Sequence, residues 1–135
     1  MAVDVVLADR LRSSLQREPD VVFAYLFGSQ ARGDALARSD VDVAVYLREG
    51  SDLDILQVMS LIEGVGKRHL DVILLDRAPP FISYEALHGL LLFSRDDETR
   101  VLVEARIARE YLDREPSMRR DLRETLDRFA AEGFG

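Results

Sequence analysis

The sequence predicts an α/β (α+β) fold, a small mixed β-sheet flanked by helices. Two observations carry that prediction. Short apolar runs rich in β-branched and aromatic residues alternate with stretches whose apolar residues recur every three to four positions, in the order αβ(α)βαβα(β)α. The composition is also that of an ordinary globular chain, with 47% apolar and 32% charged residues. With 135 residues the chain is near the usual size of one domain. The whole of 1–135 is therefore read as a single domain, with a core over about 1–96 and a C-terminal helical segment over about 97–132.

Val3, Leu7, Leu11 and Leu15 predict an amphipathic helix over 3–17, which Pro19-Asp20 closes. The run VVFAYLF (21–27) predicts a strand covered on both faces. Gly28-Ser29 forces a turn, and a short helix is expected within 30–36. Residues 41–47 alternate with period two: Val41, Val43, Val45 and Leu47 share one face, and Asp42, Ala44 and Tyr46 the other. Gly50-Ser51-Asp52 supplies a turn and an N-cap for a helix over 53–66, with Ile55, Leu56, Met59 and Ile62 expected inward. LDVILL (70–75) predicts the next strand, and residues 76–80 end it. A helix over 81–90 follows, then a short edge strand in LLLF. From Asp97 a long helix is expected, with Val101, Ala105, Ala108 and Leu112 on its inner face. Pro116 kinks or divides it, and Met118, Leu122, Leu126 and Phe129 resume the stripe.

Composition narrows the function classes. The chain has no cysteine, which excludes disulfides and thiolate metal sites and fits a reducing, cytoplasmic setting. No apolar run is long enough to span a membrane, and residues 1–12 alternate charges where a signal peptide would be apolar. The net charge of −7 argues against direct nucleic-acid binding, which needs a basic stripe to neutralise phosphates. The two histidines, His69 and His88, are isolated and read as structural.

The chemistry concentrates in GSQARGDALARSDVDVAV (28–45). Asp40 and Asp42 lie two residues apart at the start of a strand, so both project from one face with Cα atoms roughly 6.5–7 Å apart. Carboxylates converging to 4 Å repel by about 1 kcal/mol in water and about 4 kcal/mol at an effective dielectric of about 20. A bound divalent cation removes that penalty, and oxygen-only ligation favours Mg²⁺ or Mn²⁺. If the strand opened by Asp71 neighbours 41–47, Asp71 joins the pair. Three acids there form a phosphoryl-transfer site of the two-metal kind. Upstream, Gly28 permits close backbone approach, Ser29 offers a hydroxyl, and the amides that follow can cradle a phosphate.

Gly28, Ser29, the ARGD segment, Ser39, Asp40 and Asp42, with Asp71 as a third acid, resemble the signature of the DNA-polymerase-β-type nucleotidyltransferases. In particular the chain is similar to minimal nucleotidyltransferase (MNT) domain proteins. The match runs from the first predicted strand to the third; residues 81–135 match only in length and helical character. Gln30 stands where such proteins often carry Arg, and Ala37 where Pro is common.

The resemblance implies a polymerase-β-palm-like nucleotidyltransferase fold with C-terminal helices. It implies AMP transfer from ATP to a hydroxyl, with Asp40, Asp42 and Asp71 both catalytic and metal-binding. Gly28, Ser29, Arg32 and Ser39 would bind nucleotide; Arg32 could instead solvate its helix, and Ser39 could instead serve a turn. Proteins of this size in the family resemble antitoxins that adenylylate a tyrosine of a HEPN-type toxin ribonuclease, which makes such a toxin the expected partner. Two rival readings stand beside this one. They are a small-molecule nucleotidyltransferase of the aminoglycoside-modifying kind, and an antitoxin that works by binding alone.

Overall fold

The computed structural model describes residues 5–28, 41–66 and 70–114. Within them the chain runs α1 (Val5–Gln16), β1 (Val21–Phe27), β2 (Val41–Leu47), α2 (Ile55–Leu61), β3 (Leu70–Leu74), α3 (Pro80–Ala86), β4 (Leu90–Ser94) and α4 (Asp97–Arg114). The strands form one mixed sheet in the order β3-β2-β1-β4. β1 pairs antiparallel with both β2 and β4, and β2 pairs parallel with β3. The central place of β1 accounts for its unbroken apolar run, because six of its seven residues are buried.

Each face of the sheet carries its own core. On one face Ala24, Leu26, Val43, Val45, Val72 and Leu74 pack with Leu7, Leu11 and Leu15 of α1 and with Val58 and Ile62 at α2. On the other, Phe23, Tyr25, Phe27 and Ala44 pack with Ala86 of α3 and with Val103 and Ile107 of α4. Tyr46 belongs to this second face and stacks on Phe23, with ring centroids 5.0 Å apart. The period-two alternation of 41–47 thus places Asp42, Ala44 and Tyr46 on the α3–α4 side.

Two helices turn differently from the sequence expectation. A capping box starts α2, in which Asp54 accepts from the Gln57 amide and the Gln57 side chain accepts from the Asp54 amide, both at 2.8 Å. This start turns Val58 and Ile62 inward, while Ile55 and Leu56 remain 41% and 69% exposed. β3 is an edge strand, and among the described residues no further strand lies beyond it to cover them. The helix is also shorter than 53–66, since it gives way to a turn at Ile62 and Gly64 adopts a φ of 79°.

In α4 the inward residues are Val103 and Ile107, whereas Val101 is 55% exposed. The expected stripe contains two alanines, Ala105 and Ala108, and offers little apolar area. Val103 and Ile107 offer more, and the Arg100–Glu104 ion pair (2.5 Å) shares their side of the helix. At the start of α4, Asp96 accepts from the amide and hydroxyl of Thr99 at 3.1 and 2.7 Å. These bonds hold the Asp96 carboxyl below its ordinary pKa.

α3 is likewise shorter than 81–90, with Pro80 in its first turn and Gly89 turning the chain into β4. The expected helix within 30–36, Pro116 and the 118–129 stripe lie outside the described residues. None of the described helices is long and apolar enough to cross a membrane.

Candidate active site

The site is built where β1 ends and β2 and β3 begin. β1 delivers Phe27 opposite Asp42, and Gly28 then carries the chain away with a φ of 79°, a conformation that L side chains rarely adopt. A Cβ placed on Gly28 would fall 2.3 Å from Oδ2 of Asp42, so the carboxylate lies directly against this glycine. β2 and β3 are parallel neighbours, and Asp42 and Asp71 are partners in their register. Neighbouring strands run about 4.8 Å apart, so the two acids leave the sheet side by side on the α3–α4 face. Asp42 is half-buried and Asp71 exposed.

These two acids share a cavity of about 340 Å³. Phe27, Val72, Ile73 and Ile82 give it apolar walls. Glu85, from α3, adds a third carboxylate to the lining. Three larger clefts of about 410, 450 and 520 Å³ lie along α1, α2 and β3, and each is lined by one described carboxylate.

Of the residues singled out in the sequence, the structure brings Gly28, Asp42 and Asp71 together. Ser29, Arg32, Ser39 and Asp40 lie outside the described residues. Tyr46 packs on Phe23 away from the cavity mouth. His88 is held on its own helix, with Nδ1 2.9 Å from the Tyr84 carbonyl oxygen and its ring edge-on to Tyr84. His69 lies outside the described residues. Glu85 was not anticipated. Its one sequence signal is its place three residues after Ile82, one turn along the same helix.

The donor set suits a hard cation. Asp42 and Asp71 are adjacent oxygen donors, and positive charge between two carboxylates held side by side lowers their mutual repulsion. Among the described residues no group of three or more His, Cys, Asp or Glu side chains forms a metal site.

Comparison with known proteins bears on this arrangement. Residues 9–98, two thirds of the chain, match the family described as Polymerase beta, Nucleotidyltransferase. No curated protein sequence gives a significant match. Among solved structures, a chain from a toxin–antitoxin complex with AMP-PNP superposes with a TM-score of 0.70 at 18% identity, covering 88% of this chain and 98% of its own. A chain from the tri-AMPylated Shewanella oneidensis HEPN toxin in complex with MNT antitoxin superposes with a TM-score of 0.64 at 16% identity, covering 89% and 96%. A chain from the MntA-HepT toxin–antitoxin gives 0.63 at 16% identity, covering 89% and 97%. At these identities the likeness is one of fold.

Proposed function

The chain belongs to the polymerase beta nucleotidyltransferase family, and on that premise we propose that it transfers AMP from ATP to a hydroxyl of a partner protein. The proposed acceptor is a tyrosine of a HEPN-type toxin ribonuclease, which the transfer silences, so that this chain acts as the antitoxin. The observation that carries the reading is the register of Asp42 with Asp71 inside one cavity beside Gly28. The choice of acceptor draws on the similarity to an MNT antitoxin solved with a tri-AMPylated HEPN toxin. The choice of ATP draws on the similar complex solved with AMP-PNP.

Each residue has a task in this reading. Asp40, Asp42 and Asp71 hold Mg²⁺, or Mn²⁺ in its place. When bound, the cation offsets the charge of the triphosphate and polarises the α-phosphate. Gly28 lets the backbone approach the phosphates, with Ser29, Arg32 and Ser39 as further nucleotide contacts. The acceptor oxygen forms a bond to the α-phosphorus as the bond from that phosphorus to the β-phosphate oxygen breaks, and pyrophosphate leaves in line. Asp71, the exposed acid of the pair, takes the proton of the incoming hydroxyl.

The test follows label from ATP radiolabelled at the α-phosphate, with Mg²⁺, into extract of the native host. The expected result is one labelled protein band, reduced at least about a hundredfold with Asp42→Asn or Asp71→Asn. Label confined to small molecules would replace the reading with a metabolite-modifying enzyme. Absence of label, with toxin neutralisation intact in Asp42→Asn, would replace it with an antitoxin that acts by binding.

A further inference from the structure

The cavity has two walls of different character. Asp42 and Asp71 come from the sheet, whereas Ile82 and Glu85 come from α3. The helix wall is firmly placed. Pro80 lies in its first turn, Ser83 and Ala86 are buried beneath it, and Tyr84 stacks on Tyr111 of α4 with centroids 4.2 Å apart. Glu85 itself is exposed, so its carboxylate sits at the mouth rather than the floor.

The charges of the two walls differ in what offsets them. Under the nucleotidyl-transfer reading, on which this inference rests, the sheet acids are offset by bound cations. Among the described residues the lining contains no Lys or Arg beside Glu85. A carboxylate so placed repels the triphosphate. Of the groups that would meet at this site, the acceptor, which enters opposite the pyrophosphate, is one whose flanking charge a carboxylate at the mouth can favour. The apolar residues beside it, Phe27 and Ile82, suit the hydrocarbon body of that acceptor. Phe81, one turn before Glu85 and 56% exposed, extends this apolar surface along the helix.

We propose that Glu85 selects the acceptor: it favours a hydroxyl flanked by a cationic residue over one flanked by acids. Because the carboxylate is exposed, the preference is modest, about two- to fivefold in kcat/KM, the range of a solvent-exposed charge pair.

Two synthetic peptides test this, each with one tyrosine, flanked by lysines in one and by glutamates in the other. Transfer from α-labelled ATP is measured with the intact protein, with Glu85→Gln and with Glu85→Lys, beside the affinity of each protein for AMP-PNP. The wild type should prefer the lysine peptide two- to fivefold, Glu85→Gln should equalise the two, and Glu85→Lys should invert the preference. A merely structural role would alter both peptides equally. Equal use by the wild type, or an unchanged ratio in both variants, overturns the proposal. Labelling of neither peptide overturns it as well, because a short cationic segment should suffice. If AMP-PNP still binds and the extract acceptor is still labelled, the nucleotidyl-transfer reading survives that failure; if neither holds, the reading itself has failed.

Discussion

Gly28 and Asp42 meet with no room for a side chain between them: a methyl group on Gly28 would stand 2.3 Å from Oδ2 of Asp42. Gly28→Ala therefore does two things. It strains a backbone at φ 79° by about 1–2 kcal/mol, and it pushes the carboxylate out of place. The expected outcome is a folded protein with a lowered melting temperature and transfer activity down by about a hundredfold, the scale of an ångström's misplacement. Gly50→Ala is the control. That glycine has φ 82° with nothing within 4 Å of its added Cβ, so it should share the stability loss and keep the activity.

Tyr25 gives the fold an alkaline limit. Burial above all, and then the negative charge of Glu104 acting through space, hold its phenol well above the ordinary range, while Arg100 pulls the other way. Below about pH 10 the phenol is neutral in both folded and unfolded chains, and the full stability is present. Above that, the unfolded chain releases a proton that the folded chain keeps, so stability falls as pH rises towards the folded value, by about 1.4 kcal/mol per pH unit. Chemical denaturation from pH 8 to 11 should show this slope, and Tyr25→Phe should flatten it by one proton. Equal slopes for the two proteins would remove Tyr25 as the cause.

Ser83 is 1% exposed, and its hydroxyl finds no hydrogen-bond partner among the described residues. It lies in α3, where alanine is the better helix former. Ser83→Ala removes the stranded hydroxyl and should stabilise the protein by about 1 kcal/mol. Thermal unfolding reads the effect, and a drop in melting temperature would mean that the hydroxyl is satisfied in solution.

The rotation of α4 can be tested by pairs of substitutions. Ile107→Ala should destabilise by about 2–4 kcal/mol, because it opens a cavity against the α3 face of the sheet. Val101→Gln, on the 55% exposed side, should stay within about 0.5 kcal/mol. The reverse ranking in urea melts would restore the helix face expected from the apolar spacing.

The strands were legible because their signals are local. The unbroken run of β1 announced two covered faces, and the alternation of β2 placed Asp42 with Ala44 and Tyr46 before any pairing was known. The neighbouring of β2 and β3 was a condition that the sequence could state and not test, since strand pairing joins residues about thirty positions apart. Helix orientation was misread in α2 and α4 for one reason. Apolar spacing counts Ile55, Leu56 and Val101 as core candidates, but it contains nothing about where the sheet ends. Glu85 was missed because its position over the acids depends on how α3 crosses the sheet, which the turn at 75–79 decides. Of the metal and phosphate ligands expected near the Gly-Ser turn, Ser29, Arg32, Ser39 and Asp40 lie outside the described residues.

The strand order has a consequence for how the protein is assembled. The sheet's two inner strands are its first two in sequence, and the later strands take the outer places. A chain made amino end first has both inner strands in hand before either outer one exists, but two strands alone are marginally stable in water, so the sheet needs the later strands to hold. Asp71 arrives with the third strand and Glu85 with the helix after it. The acidic pocket, which needs Asp42, Asp71 and Glu85 together, is thus complete only when both β3 and α3 are in place.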